Sequence, residues 1–362
     1  MSSSKILRTL AQAILAPLIA LIVSVIVTSI VVSIAGASIG DFWDVIFTVP
    51  THRNWVNITN QSSMLFLAAL AAAIGFRMNL FNIGVEGQYT LAAFAAAAFA
   101  GAGWLPGKLN IVGALLVAMA VGAIWAGIAG VLKVTRGVSE VISTIMLNAI
   151  AGTMIGYLLN NYGNQYGQGR RTTPIPGSSQ LSGWTPWSAG DGPIWTLTIL
   201  AVLAGVTMSI VINRTRFGFD LRATGMNEDA AVASGVKVKR MVVISMLISG
   251  AIAGLVWMPA LFGAADYYGP PFQRALGFTG IAVALLGRNR PLGIFFGAVL
   301  FAWLSEQANP LSLVADISPS VVQVTQGVVV LAVVIAYEVV RRWMAAYEQR
   351  ELKQALGTEV RA

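Results

Sequence analysis

Long apolar stretches, separated by short charged segments, are the feature that most limits what this chain can fold into. Of its 362 residues, 56% are hydrophobic and only 10% are charged, whereas soluble globular proteins carry roughly 25% charged residues. A helix of about 20 apolar residues is long enough to cross the hydrocarbon core of a bilayer. Backbone in lipid must satisfy its own hydrogen bonds, so the sequence predicts an all-α integral membrane protein.

The apolar stretches predict about ten transmembrane helices, some of them short because the helix is broken or tilted. The first stretch is longer than the roughly 7–15-residue core of a signal peptide, so it is interpreted as a retained span. Spans 2–5 and 7–10 start from opposite sides, which is compatible with an inverted repeat. The predicted spans are residues 10–36, 61–76, 88–103, 110–132, 139–160, 194–212, 241–262, 275–287, 291–308 and 320–340.

The positive charges predict the orientation of these spans. The net charge is +8, and most of the 23 lysines and arginines fall on one side of the ten-span arrangement, especially in the loop 213–240. Because cytoplasmic loops are enriched in lysine and arginine, we expect both termini in the cytoplasm and residues 161–193 outside. Residues 1–342 are then the transmembrane domain and residues 343–362 a cytoplasmic tail. This charge needs no nucleic acid to explain it.

Several kinds of chemistry are excluded or disfavoured. The chain has no cysteine and only one histidine, His52, so thiolate and histidine metal sites are not expected. Ala102–Leu109 resembles a phosphate-binding loop but lacks its first glycine and its Ser/Thr. We therefore expect no enzyme activity, no metal and no cofactor in this chain.

A polar segment joins the second and third spans, GFRMNLFNIGVEGQ at residues 75–88. Irregular backbone at membrane depth is tolerated only where protein or a water-filled cavity satisfies it. One interpretation is a broken helix lining a substrate route, with Asn79, Asn82, Glu86 and Gln88 as candidate pathway residues. The other is a cytoplasmic turn whose asparagines cap helix ends.

A second polar pattern lies in span 5. Glu140, Thr144 and Asn148 are spaced four apart and share one helix face, and two further glycines, Gly152 and Gly156, continue it. We expect this stripe to face the protein interior, where it lines a pathway or lets another helix approach. The Glu140 carboxylate needs a partner or water.

The spacing of Gly122, Ala126 and Gly130 in span 4 predicts close helix packing. In the outer loop, Trp184, Trp187 and Trp195 are interpreted either as interfacial anchors or as a docking surface.

The loop 213–240 shows the signature of a short capped helix. Asn227 is a favourable N-cap, Glu228 and Asp229 suit the positive end of the helix dipole, and Gly235 ends the run. A helix of this kind between two membrane spans is expected to dock to a soluble partner.

Three of these segments resemble the permease subunits of bacterial ATP-binding-cassette (ABC) importers for nucleosides and simple sugars. They are FNIGVEGQ at 81–88, EVISTIMLN at 140–148 and TRFGFDLRATGMNEDAAVASGV at 215–236. The resemblance implies the ABC importer permease fold, with the third segment coupling the permease to an ATPase. The implied coupling residues are Gly225, Asn227, Glu228, Asp229, Ala230, Ala231 and Gly235.

The resemblance also implies partners: an ABC ATPase subunit that binds ATP, a second permease that is usually a different protein, and an external substrate-binding lipoprotein. It places the chain in the bacterial inner membrane. Alternatives are a permease for ribose-like sugars or branched-chain amino acids, or an ion-coupled secondary transporter using Glu86 or Glu140 as carrier. A scaffold that transports nothing is disfavoured by the buried polar stripe.

Overall fold

The computed structural model describes residues 3–270, 272–314, 317–318 and 320–359. A hairpin of β1 (Asn164–Tyr166) and β2 (Gly169–Arg171) interrupts an otherwise helical chain. The helices are α1 (Ser3–Ile34), α2 (Ile39–Phe47), α3 (His52–Phe76), α4 (Val85–Ala102), α5 (Lys108–Arg136), α6 (Glu140–Tyr162), α7 (Ile199–Arg214), α8 (Arg216–Met226), α9 (Glu228–Ala233), α10 (Val238–Gly254), α11 (Met258–Ala260), α12 (Leu276–Leu286), α13 (Pro291–Ala308), α14 (Leu311–Val314) and α15 (Ser320–Glu359).

Each predicted span falls on a helix, which confirms the all-α membrane architecture. Among the described residues, seven helices are long and apolar enough to cross a membrane. The other three predicted spans coincide with the apolar part of α1, Leu18–Ile34, with α4, and with α12. The inverted repeat stays a prediction.

The chain divides into two compact units. The first comprises Met1–Val49 and Gln307–Ala362, where α1 packs along α15 and α2 packs against α14. The amide of Gln307 donates to three carbonyl oxygens at the end of α2, which ties residues 45–48 to the start of the C-terminal part. In this unit α15 continues without a break from Ser320 to Glu359.

The second unit is Pro50–Glu306 and contains the candidate site. Its central helix is α3, whose apolar window is 89% buried, whereas that of α6 is only 22% buried. Helix α10 packs against α3, α4 and α5. Helix α6 therefore lies at the edge of this unit.

The loop predicted at residues 38–60 is largely helical. It contains α2, and α3 begins at His52, well before the predicted start at residue 61. Its polar residues are stabilised by distant partners, because the side chain of Asn60 donates to the Pro193 carbonyl and accepts from the Trp195 amide. Composition alone does not reveal such contacts.

The glycine packing predicted for span 4 is confirmed. A Cβ placed on Gly122 would clash with the backbone of Gly250, and one placed on Gly254 would clash with the backbone of Ala118. Gly130 lies against the Met246 side chain. Small residues thus let α5 and α10 approach at backbone distance, as in other membrane helix pairs.

The end of the α6 stripe is not buried within this chain. Glu140 and Thr144 are buried, but Gly152 and Gly156 are exposed, and no described atom lies within 4 Å of a Cβ built on either. Helix α6 contacts α4 and α5, yet the packing reaches only the first part of the stripe. The exposed glycines leave a face of this chain open.

Helix α12 has 11 residues. At 1.5 Å per residue such a helix is about 16 Å long, too short to cross a hydrocarbon core of about 30 Å. The segment before it, residues 266–275, begins and ends with left-handed backbone, at Asp266 (φ 50°) and Ala275 (φ 68°). The predicted span 8 is therefore only half of a crossing element.

Candidate functional site

The segment between α3 and α4 is a break in helical structure. Helix α3 ends at Phe76, α4 begins at Val85, and Asn79 between them has left-handed backbone, with φ 54°. The N-cap of α4 is Gly84, which has no side-chain cap. The Asn82 side chain accepts from the Gly84 amide at 3.0 Å, next to the start of α4, so the segment both breaks the helix and uses an asparagine to satisfy backbone there. Whether it lines a substrate route stays a prediction.

Asn82 and Gln88 form a buried amide pair inside this break. Each amide nitrogen donates to the other side chain's oxygen, at 3.1 and 2.9 Å, and Asn82 also donates to the Ser249 hydroxyl at 2.8 Å. Ser249 in turn donates to the Ala71 carbonyl. These two buried candidates connect the segment before α4 with α3, α4 and α10.

The α6 stripe packs directly on the same break. The Asn148 side chain accepts from the Gly87 amide at 2.8 Å and donates to the Ile83 carbonyl at 2.9 Å. A Cβ on Gly87 would lie 2.7 Å from the Asn148 side-chain oxygen, and one on Gly84 would lie 3.0 Å from Thr144. Glycine is needed at both positions because α6 approaches so closely.

Glu140 has the partner that its burial requires. Its carboxylate is 2.5 Å from the Lys133 ammonium group and also accepts from the Phe81 amide at 3.3 Å. Thr144 donates to the carbonyl of Glu140, one turn earlier in α6. The sequence predicted that Glu140 needs a partner but did not identify Lys133, which lies only seven residues away.

Glu86 joins the starts of α4 and α12. It lies in the first turn of α4, and its two oxygens accept from the Ala275 and Gly277 amides at 2.8 and 3.0 Å, at the start of α12. Free amides and the helix dipole make a helix N-terminus favourable for a negative charge. One carboxylate therefore stabilises the positive ends of both helices, α4 of 18 residues and α12 of 11.

An aromatic cluster lies beside this carboxylate. The Tyr89 hydroxyl is 3.2 Å from a Glu86 oxygen and donates to the Gln273 carbonyl at 3.0 Å. The Phe272 ring contacts the rings of Tyr89, Trp257 and Tyr268, with centroid distances of 4.5 to 5.6 Å. The segment 266–275 is thus packed onto α4 and the end of α10 through aromatic side chains.

The capped helix predicted in the loop 213–240 is present. It is α9, and the Asn227 side chain accepts from the Ala230 amide at 2.9 Å. Gly235 follows it with φ 84°, and Ala231 is its buried residue. Glu228, Asp229 and Ala230 are exposed. The sequence missed α8, which starts from a second side-chain cap at Thr215.

The loop with α8 and α9 contacts the break between α3 and α4. Asn79 donates to the Gly225 carbonyl at 2.7 Å, and a Cβ on Gly225 would clash with the Arg77 carbonyl. Arg77 donates twice to the Asn289 carbonyl, after α12. Burial, followed by the charges of Arg290 and Arg222, lowers the pKa of Arg77. Asn79, predicted as a pathway residue, instead connects the break between α3 and α4 with the end of α8.

The surface around α9 includes exposed apolar residues that the sequence analysis did not select. A groove of about 850 Å³ is lined by α8, α9 and the start of α10. Phe219, Met226 and Val232 are exposed in this region. Exposed apolar side chains within a charged rim are typical of a protein docking surface.

The outer loop is ordered by contacts with the segment before α12. The Thr172 amide donates to the Tyr268 carbonyl, and the Ile175 amide donates to the Asp266 carbonyl at 2.7 Å. Trp184 and Trp187 are both exposed, and the Trp187 ring stacks on the His52 ring with centroids 4.9 Å apart. Whether these tryptophans anchor the chain or dock a partner stays a prediction.

Seven helices long enough to cross a membrane, a break between α3 and α4, and a capped helix in a long polar loop are the features of the described residues that a functional assignment must explain. The chain belongs to the family described as branched-chain amino acid transport system / permease component, whose model matches residues 54–336. This confirms the resemblance found in the sequence.

Named relatives agree with the family. The chain is 32% identical to the guanosine ABC transporter permease protein NupP of Bacillus subtilis, over 90% of this chain and 94% of that protein. It is 32% identical to the nucleoside ABC transporter permease protein NupB of Lactococcus lactis, over 75% and 77%. It is 28% identical to the glucose ABC transporter permease protein TsgB13 of Haloferax volcanii, over 80% and 79%.

The chain is therefore an ABC transporter permease subunit and a multi-pass membrane protein. As predicted, it is a transport subunit and not the ATPase of its system. None of these relatives supports the ion-coupled alternative.

Proposed function

We propose that this chain forms half of the translocation pathway of an ATP-driven importer for nucleosides. Two of the relatives described above carry nucleoside names, and they are the two that share 32% identity with this chain. The observation that carries the mechanism is the hydrogen bond from Asn79 to Gly225, which joins the α8–α9 surface to the broken helix.

The coupling surface is proposed to receive a cytoplasmic ATPase subunit. The exposed residues Glu228 and Asp229 supply charge, and Met226 and Val232 supply apolar area. Interface energies concentrate in a few well-packed residues, so a short helix of this kind suffices to hold a partner. Docking would place this loop and both termini in the cytoplasm.

Motion of α9 would reach the pathway through the break at residues 77–84. When the ATPase subunits close on ATP, α8 moves the segment between α3 and α4. The motion is transmitted through the hydrogen bond from Asn79 to Gly225. Arg77 passes it on through its hydrogen bond to Asn289, which follows α12. The two helices whose starts share Glu86, α4 and α12, then move together, and access alternates between the two sides. Among the proposed pathway residues, Glu86 and Asn148 are only partly buried and face this break.

The remaining parts of the machine are proposed from the same family. A second permease chain completes the pore, on a face that includes the exposed Gly152 and Gly156 of α6. An external substrate-binding lipoprotein delivers the ligand to the side that carries residues 161–193. The membrane is the bacterial inner membrane, and lipid covers the remaining apolar faces.

Uptake measurements test this function. Cells that express the chain with its ATPase, second permease and binding protein should accumulate radiolabelled nucleoside. Accumulation should stop when ATP is depleted and persist when the proton gradient is collapsed with ATP maintained, because ATP drives transport. Competition by excess glucose or ribose should be weak. Uptake that follows the proton gradient, or that sugars block completely, would contradict the proposal.

A further inference from the structure

A second cavity lies on the side of the outer loop, apart from the α9 surface. It has a volume of about 350 Å³, within the roughly 300–1,000 Å³ range of small-molecule sites. Its aromatic walls are Trp195, Trp257 and Tyr267, and Met64 of α3 contributes to its lining. The Trp195 ring packs against the backbone of Gly263, so a side chain at Gly263 would displace this wall.

Two polar side chains line the same cavity, Asp266 and Gln273. Within the part of the chain that the structure describes, neither the Asp266 carboxylate nor the Gln273 amide makes a side-chain hydrogen bond. Burial raises the pKa of the Asp266 carboxyl, and the nearby Arg171 guanidinium opposes that rise. Both side chains are only partly buried, so their polar atoms remain available to a ligand in the cavity.

The backbone of Asp266 is also unusual. Its φ of 50° is a left-handed conformation that costs free energy for a residue other than glycine. The outer loop holds it there, because the Ile175 amide donates to the Asp266 carbonyl at 2.7 Å. Arg171 lies 4.7 Å above the Tyr267 ring and 4.3 Å above that of Tyr166 in the hairpin. The outer loop therefore fixes one wall and the carboxylate of the cavity.

We propose that this cavity is a nucleobase-binding subsite that prefers guanine-type bases, with the Asp266 carboxylate and the Gln273 amide contacting the base edge between Trp195, Trp257 and Tyr267. This inference rests on the proposed nucleoside transport. Aromatic walls suit a base because every base has a stacking face. The subsite would hold the nucleoside after it leaves the binding protein.

Hydrogen-bond chemistry sets the preference. A carboxylate only accepts, and its two oxygens can take two parallel donors. The pairing edge of guanine offers a ring N–H beside an amino group, which matches a carboxylate. The pairing edge of adenine offers an acceptor beside an amino group, which matches an amide instead.

The subsite also connects to the break between α3 and α4. Gln273 lines the cavity through its side chain, while its carbonyl accepts from Tyr89, which is next to Glu86. Phe272, one residue earlier, packs against Tyr89, which contacts Glu86, and against Trp257, which lines the cavity. A base bound to Gln273 therefore lies one residue along the chain from Phe272. The stacking of Phe272 on Tyr89 is the contact that would have to open for the nucleoside to pass.

Binding to the purified full-length chain in lipid nanodiscs tests this proposal. The probe is tritiated guanosine, displaced by unlabelled guanosine or adenosine. Wild type should bind guanosine saturably and prefer it over adenosine by about tenfold, the discrimination typical of one bidentate base contact. Asp266→Asn keeps the side-chain shape but replaces an acceptor by a donor, so guanosine affinity should fall about tenfold and the preference should vanish. Asp44→Asn, at an exposed carboxylate of α2, should bind like wild type.

Gln273→Leu provides a second variant in case Asp266→Asn does not fold. It should also weaken guanosine binding, with an unchanged size-exclusion profile. Absence of saturable binding to wild type, or equal affinity of wild type and both variants, would overturn the subsite even if the complete importer still transports nucleosides. Equal affinity of wild type for adenosine and guanosine would overturn the base preference. Failure of the complete importer to take up any nucleoside would instead refute the proposed function.

Discussion

Reversing the two charges at the start of α9, in the double variant E228K/D229K, is expected to reduce nucleoside uptake by about tenfold or more. Both side chains are exposed, and Asn227 caps the helix just before them. Lysines there oppose the helix dipole, at a cost of about 0.3–1 kcal/mol each, and replace the charge presented to the ATPase subunit. In the assembled complex, basal ATP hydrolysis should continue, while its stimulation by loaded binding protein should disappear.

Asp41→Lys combined with Asp44→Lys is the matched control for this variant. It makes the same change in net charge on α2, and both residues are exposed. Uptake and stimulated hydrolysis should stay near wild type in the control. If E228K/D229K also transports and responds like wild type, α9 does not dock as proposed.

Replacing Glu86 by glutamine is expected to have the second largest effect, a loss of about tenfold or more in uptake together with lower thermal stability. Its two oxygens accept from the Ala275 and Gly277 amides, and hydrogen bonds to charged groups contribute about 1.5–3 kcal/mol each. The amide of glutamine keeps one acceptor and places a donor against an N–H group. The ends of α4 and α12 would then separate.

Tyr89→Phe tests whether this effect comes from the carboxylate. It removes a hydroxyl 3.2 Å from Glu86 but leaves both amide contacts in place, so its loss of uptake should be several-fold smaller. Uptake and melting temperature measured for both variants check this order. Full activity of Glu86→Gln would exclude the shared carboxylate as a structural joint.

Features that depend on neighbouring residues in the sequence were predicted well. The N-cap at Asn227, the acidic first turn and Gly235 all lie in or directly beside α9, a helix of six residues. The glycine spacing of α5 also predicted close packing, because small residues allow it with any partner helix. Even so, the sequence did not show which helix packs there. In the structure the close contact is made by Gly250 and Gly254 of α10.

Features that depend on distant contacts were not predictable. The amides that bind Glu86 follow it by about 190 residues, and no local pattern marks Ala275 as one of them. Asn60 is buried because its side chain pairs with the Pro193 carbonyl and the Trp195 amide in the outer loop. Without knowledge of these partners, the polar residues at the start of α3 were interpreted as a loop. A regular helical stripe also suggested that Gly152 and Gly156 were buried, although the packing of α6 ends before them.

The most direct test of the account is the accessibility of α9 in intact cells. Because the chain has no cysteine, a single one can be placed at Val232, which is exposed in α9. In cells that lack the ATPase subunit, a membrane-impermeant maleimide should label Val232→Cys only after the cells are opened. Co-expression of the ATPase subunit should then protect this cysteine in opened cells. Trp184→Cys in the outer loop should be labelled without opening the cells. Labelling of Val232→Cys from outside intact cells would contradict the central claim that this helix is held by a cytoplasmic ATPase.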